Sequence, residues 1–368
     1  MKTPLVSVAM VTRNVDRFLA ESIDSILGQT LRDLELVIVD FGSTDKSKSI
    51  ISGYSAKDGR VKFHEIPECG LSDARNASFV FSVGQYVAIM DADDIAVPDR
   101  LTRQFEFMEK HPEIGVLGGA VEWIDQTGKA LLTKYFPCLD SEIRAALLSY
   151  SPFCNPTMML RREVFAATGG FRRALAAAED YDLWLRVAKR CELANLPHIL
   201  LRYRVHPHQE TQRNVRLMAV GALAARASAS RGEHVVLDPL DSAEEITPTV
   251  LSALGVSEAA YQRALVSQYR GAIRYMCRAG EYCAGLKLAA EMLRSSDWDH
   301  VDRWEIADVW LASAWLYWRQ REFLRSIIAI GRAILIRPVV AGRPLKRLAR
   351  RIWPDPNLPH GVGLTKAK

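Results

Sequence analysis

Three carboxylates stand within four residues at Asp91-Ala92-Asp93-Asp94, directly after the apolar run Tyr86-Val87-Ala88-Ile89-Met90. Like charges this close repel, and a hard divalent cation or a partner base relieves the repulsion. The same residues also suit an acidic turn with a helix N-cap ahead of Pro98, so the cluster by itself leaves both readings open. A second acidic pair, Glu179-Asp180, opens a string whose Leu183 and Val187 fall on one helical face. Negative charge in a first helical turn complements the helix dipole, and capping accounts for that pair without any further role.

The elements that carry these acids follow from the apolar pattern. Tyr86 to Met90 reads as a buried strand, because β-branched and aromatic residues run together and the apolar character stops at Asp91. Leu5 to Val11 is a similar strand ending in Thr12-Arg13-Asn14, followed by a helical pattern from Phe18 to Leu27. Leu34 to Val39 delivers Asp40-Phe41-Gly42-Ser43-Thr44-Asp45 to its carboxyl end, ahead of a helix over Lys46 to Tyr54. Val61 to Ile66 predicts a third strand, and Leu71 to Ser82 a helix capped near Ser72. This alternation predicts an α/β fold, a Rossmann-like, mostly parallel and doubly wound sheet over about the first hundred residues. In such sheets ligands bind beyond the carboxyl ends of the strands, where all these polar residues fall.

Downstream, Leu101, Phe105 and Met108 mark a helix that stops at His111-Pro112, and Gly115 to Ile124 reads as a strand. Asp125-Gln126-Thr127-Gly128 then predicts a turn, with Ala130 to Tyr135 returning as a hairpin. Helices are expected over Ser141 to Tyr150, Arg161 to Ala167 and Glu179 to Lys189, and a strand over Leu200 to Val205 that ends in His206. From about Val215 the composition shifts to Ala, Arg and Leu with helical periodicity. Arg278, Glu281, Tyr282, Leu286 and Leu293 match Arg319, Glu322, Phe323, Ile327 and Ile334, 41 residues later, as two helical hairpins of the tetratricopeptide kind would. The expected organisation is a catalytic domain over 1–212, an all-α region over 213–340 and a basic tail over 341–368.

Composition narrows the class. The chain has 368 residues, 49% of them hydrophobic, which suits a globular protein with one or two cores. Its net charge of +5 is concentrated at one end: Arg332 to Arg351 holds seven Arg and Lys residues and no acid, so this end should seek anions. The six cysteines form no C-x-x-C pair, which points away from zinc sites and disulfide frameworks and toward a reducing cytosol. No signal-peptide core and no run of about 18 apolar residues is present. A cytoplasmic location is expected, with the tail's Leu345, Leu348, Ile352 and Trp353 among its cations suggesting a peripheral place on the inner face of the cell membrane.

Taken together, Val8-Ala9-Met10-Val11-Thr12-Arg13-Asn14, Ser25-Ile26-Leu27-Gly28-Gln29-Thr30, Val39-Asp40-Phe41-Gly42-Ser43-Thr44-Asp45, Gly70-Leu71-Ser72-Asp73-Ala74-Arg75-Asn76, Asp91-Ala92-Asp93-Asp94, Glu179-Asp180 and Tyr203-Arg204-Val205-His206 resemble, in order and spacing, a family 2 glycosyltransferase of the GT-A fold. The resemblance covers a little over half of the chain. It implies a nucleotide-sugar donor, a Mg²⁺ or Mn²⁺ ion, and inverting transfer of one sugar to the hydroxyl of a glycan or lipid-linked acceptor in surface polysaccharide or glycolipid assembly. By the same resemblance Asp93 and His206 contact the metal, Asp91 the donor, and Asp180 is the catalytic base, with Asp94 and Glu179 in support. Thr12, Arg13, Asn14, Asp40, Phe41 and Arg75 are expected in the donor pocket. Relatives specific for uridine carry a second aspartate where Phe41 stands, so the donor nucleotide stays open.

Other readings fare less well. Asp40-Phe41-Gly42 lacks the other protein-kinase motifs, and no Gln-x-x-Arg-Trp string of processive synthases occurs. A nucleotidyltransferase would want a Gly-rich phosphate loop where Thr12-Arg13-Asn14-Val15-Asp16 stands. A helical-repeat adaptor with an inactive transferase-like domain is the alternative, and nucleic acid is not an expected partner.

Overall fold

The computed structural model describes residues 3–206, 209, 214–231, 238–295 and 301–342. The chain forms two compact units, Met1–Val205 with Leu217–Ser257, and His206–Arg216 with Glu258–Lys368. The sequence places the division at 212 and 213 instead. Its composition shift marks where helices take over, but helix Val215–Ala229 packs largely with the first unit, Gly221 lying where a Cβ would touch Ala178 at 2.8 Å. The basic tail expected over 341–368 lies, from residue 343 on, outside the described residues.

The first unit is built on one sheet of strand order β3-β2-β1-β4-β8-β6-β9-β5, with β7 paired to β6. Its strands are β1 (Val6–Thr12), β2 (Leu34–Asp40), β3 (Val61–Glu65), β4 (Tyr86–Asp91), β5 (Ile95–Ala96), β6 (Ile114–Ile124), β7 (Ala130–Lys134), β8 (Met159–Arg161) and β9 (Glu192–Arg204). The pairs among β3, β2, β1 and β4 are all parallel. Beyond β4 the sheet is mixed, since β8 runs antiparallel to both of its neighbours while β6 and β9 are parallel. The strands β1, β2 and β4 are covered on both faces, which is why their sequences are mostly apolar rather than alternating; the buried exceptions, Ser7 and Glu35, hydrogen-bond to each other at 2.5 Å. Helices α1 (Asp16–Leu27), α2 (Ser47–Lys57), α3 (Leu71–Phe81) and α4 (Arg100–Lys110) supply that cover, followed by α5 (Asp140–Leu147), α6 (Arg162–Thr168) and α7 (Glu179–Val187).

Strand β9 begins eight residues ahead of the predicted Leu200. Pro197 and His198 hide its first half: Leu196 pairs with Gly119 and Ile199 with Ala120, so the two intervening residues bulge out of register. Ser72 does not cap α3; Gly70 holds the cap position, and the Ser72 hydroxyl donates to the Arg172 carbonyl at 3.1 Å.

After α8 (Val215–Ala229), α9 (Pro239–Ser242) and α10 (Pro248–Ala253), the second unit consists of α11 (Glu258–Arg278), α12 (Tyr282–Ser295), α13 (Arg303–Arg319) and α14 (Phe323–Ile336). These form two hairpins with the same turn, 41 residues apart. Gly280 at φ +78° and Arg321 at φ +62° are both left-handed, and Glu281 and Glu322 each donate their backbone N–H to a carbonyl five residues back at 2.9 Å. Among the described residues no helix is long and apolar enough to cross a membrane.

Candidate active site

Three parallel strands end together. Thr12 is in register with Asp40 and Val11 with Asp91, so β1, β2 and β4 end in polar side chains along one edge of the sheet. Connections leave β1 toward β2 on one side and arrive at β4 on the other, which makes this edge the topological switch point.

The first two loops are stitched to each other. The Asp40 carboxylate is fully buried and accepts from Thr12 Oγ1 at 3.1 Å and from the backbone N–H of Gly42 and Ser43 at 3.2 and 3.0 Å. Asn14 sits at φ +53°, and its side-chain oxygen accepts from the Thr44 N–H at 2.8 Å and the Asp45 N–H at 3.3 Å. Thr12, Asn14 and Asp40 therefore shape the edge of the pocket with atoms already committed to the protein. Phe41 is buried, and the Arg13 guanidinium stands 5.8 Å from its ring while pairing with Glu68. Glu68 carries no signal in the sequence that would have singled it out.

Beyond β4 the three acids separate. Asp94 is fully buried; its Oδ1 accepts the Arg204 N–H at 2.7 Å, and its Oδ2 has no protein partner. Burial and the charges of Asp93 and Asp91 push its carboxyl well above the usual range. Asp91 and Asp93 are half-buried. Burial raises Asp91 to about 6, with Arg75 opposing and Asp93 and Asp180 adding to the rise. Arg204, quoted above only as part of a motif, fixes the loop: it is buried, its Nε donates to the Asp93 carbonyl at 2.9 Å, and its Nη2 pairs with Glu21 at 2.6 Å. Arg100 lies fully buried beneath, donating to the Ile89 carbonyl at 2.8 Å, and burial lowers it to about 10.

The fourth wall is α7, which α3 holds in place. Asn76 takes both backbone groups of Phe171, accepting its N–H and donating to its carbonyl, each at 2.8 Å. Gly170, at φ +75°, passes so close to Asn76 that a Cβ would lie 2.6 Å from Oδ1. Next to Asn76 on α3, Arg75 pairs with Glu179 and reaches Asp91 with Nη2 at 3.6 Å. Its side chain is only 12% exposed, so it is no solvated helix charge. Glu179 is buried with Oε2 unpartnered, and desolvation outweighs Arg75 to lift it to about 7. Asp180 is half-buried; burial raises it too, against Arg75 and the Tyr181 N–H that its Oδ1 accepts at 2.6 Å.

Two residues that sequence reasoning gave no role share this basin. The Tyr203 hydroxyl and the Cys154 thiol are both held well above their usual values, by burial first and then by Asp94 and Asp91. His206 follows β9 by two residues and belongs to the second unit; it is buried rather than solvated, and its N–H donates to the Gln209 side chain at 3.2 Å.

Among the described residues no three His, Cys, Asp or Glu side chains converge into a metal cage. Asp91 and Asp93 nevertheless fit a Mg²⁺ or Mn²⁺ ion: they are partly open oxygen donors whose mutual repulsion a hard cation relieves, and such an ion leaves coordination sites for phosphate oxygens.

A parallel nucleotide-binding half, a mixed second half and an acidic edge between them define a sugar-nucleotide transferase of the GT-A class. The model of the family "Glycosyl transferase family 2" matches residues 7–169. An uncharacterized glycosyltransferase of Methanocaldococcus jannaschii is 35% identical over 211 residues, covering 56% of this chain and 72% of that protein. The O-antigen biosynthesis glycosyltransferase WbnJ of Escherichia coli is 31% identical over 214 residues, covering 57% and 83%. The chain belongs to glycosyltransferase family 2 and is a nucleotide-sugar glycosyltransferase. The fold is also that of S. aureus TarS 1-349, solved in complex with UDP-GlcNAc, at a TM-score of 0.51 and 16% identity over 89% of this chain and 90% of that one.

Proposed function

We propose that the protein transfers one sugar from a nucleoside-diphosphate donor to an acceptor hydroxyl with inversion, using a divalent metal, in assembly of a surface polysaccharide or glycolipid. The observation that supports this most is that Asp91, at the end of β4, and Asp180, in the first turn of α7, are close enough for each to feel Arg75 and for Asp180 to add to the rise of Asp91. The acceptor oxygen bonds to the anomeric carbon as the bond from that carbon to the β-phosphate oxygen breaks. The electron pair leaves with the nucleoside diphosphate, and Asp180 takes the hydroxyl proton. Attack opposite the leaving group inverts the configuration. Burial raises the proton affinity of Asp180, as a base requires, with Arg75 opposing the rise. Asp91 and Arg75 orient the donor. Asp93 would hold a Mg²⁺ or Mn²⁺ ion, which would supply charge neutralisation at the diphosphate.

Arg13, exposed beside the buried Phe41 ring, would present a cation to the base, a nucleotide contact based on stacking. WbnJ, by its name, acts in O-antigen biosynthesis, which supports a glycan or lipid-linked acceptor here. A thermal-shift screen of UDP-, GDP- and dTDP-sugars with and without Mn²⁺ tests the proposal. A donor that raises the melting temperature only with Mn²⁺, and no longer does so in Asp93→Ala, would support it; no response to any donor would overturn it.

A further inference from the structure

The last described helix turns an apolar stripe to solvent. On α14, Leu324 is 73% exposed, Ile327 65% and Leu335 83%, and Ile328 lies between them. These positions recur at three-, four- and seven-residue spacing and so share one face, while the small residues Ser326, Ala329 and Ala333 face inward. Trp318 and Phe323, also exposed, extend the stripe at its start with ring centroids 4.9 Å apart. A patch of this kind on a folded unit marks a contact surface.

Charge identifies what it contacts. No acid occurs from Phe323 to Pro354, whereas Arg325, Arg332 and Arg337 fall on or just after the helix. Arg332 is exposed over the Trp310 ring at 4.6 Å, Arg325 is bridged to Glu322 at 2.6 Å, and Arg337 lies over Trp304 at 3.8 Å with Asp302 at 3.7 Å. A second copy docked through the same face would set these arginines against one another. We infer that α14 lies in the surface of an anionic lipid bilayer, its apolar stripe in the acyl boundary and its arginines among the headgroups.

The test is co-sedimentation of the full chain with phosphatidylcholine vesicles and with vesicles containing phosphatidylglycerol, at 0.15 M salt. Binding is expected to the anionic vesicles only, with an affinity at least tenfold lower for Leu324→Glu/Leu335→Glu and an unchanged melting temperature. Leu335→Glu alone, at the more exposed position, should lose part of the binding. Absence of binding by the native chain would overturn the inference. So would native-like binding by both variants, which would place the contact in the tail after residue 342, or a native dimer that the double variant dissociates.

Discussion

Arg75 and Glu179, 104 residues apart in sequence, form an ion pair that is almost wholly buried, with the two side chains 12% and 3% exposed. The pair ties the first turn of α7 to α3, and the same guanidinium touches the end of β4 through Asp91. One cation thus sets the spacing between the donor wall and the wall that carries Asp180. Its removal leaves several acids facing one another in a poorly solvated basin. Arg75→Ala is expected to destabilise the protein by about 3 kcal/mol, as breaking buried pairs does. It should lower transfer more than a hundredfold, read by calorimetry and by initial rates. Arg75→Lys should recover stability more than rate, because it cannot reach both carboxylates at once.

The pH dependence of stability follows from the raised carboxyls. Glu179 is lifted to about 7 and Asp91 to about 6, above their unfolded values, so the folded state holds those protons longer. Their stabilising contribution is complete below the unfolded value and is lost as pH rises through the folded one. The melting temperature should therefore fall between about pH 4.5 and 7 from these groups. Glu179→Gln should flatten that slope. A slope as steep as that of the native protein would show that Glu179 is not the titrating group.

Gly170→Ala tests how α7 is held. A Cβ there meets Asn76 Oδ1 at 2.6 Å on a left-handed backbone, so the Asn76 clamp on Phe171 must open. A loss of about 2 kcal/mol and a tenfold or larger drop in kcat are expected, with donor affinity within about threefold of native because β1, β2 and β4 are untouched. Equal losses in kcat and donor affinity would show that the clamp supports the whole edge.

Arg204→Met removes the tie from the Asp93 carbonyl to Glu21 while keeping much of the volume. The backbone N–H to Asp94 survives, so the chain should still fold, about 2 kcal/mol less stable. The Mn²⁺-dependent part of donor stabilisation should shrink, read as the difference in melting temperature with and without metal.

How much of this the sequence disclosed depends on the range of the interaction. The ends of β1, β2 and β4 are legible because doubly covered parallel strands are mostly apolar, so Thr12, Asp40 and Asp91 mark where each apolar run stops. The two hairpins of the second unit are legible from residues repeated at one offset. Arg75 is expected at the donor pocket from the family resemblance, but its pairing with Glu179 is not legible. Arg100 and Arg204 are different again, since a lone arginine in a helix or strand reads as a surface charge until the fold shows what encloses it. Glu68, Cys154 and the Asn76 clamp depend on loops meeting across long separations, which leave no periodicity to read. The first half of β9 was hidden by Pro197, and the unit boundary by a helix whose composition matches its successors rather than its neighbours in space.

The assignment of Asp180 as base bears the most weight. Asp180→Asn keeps the size and the contact to the Tyr181 N–H but cannot take a proton. Single-turnover transfer from a donor that binds the native protein should fall at least a thousandfold, with donor affinity in the presence of Mn²⁺ unchanged. Transfer by Asp180→Asn within tenfold of the native rate would contradict the account.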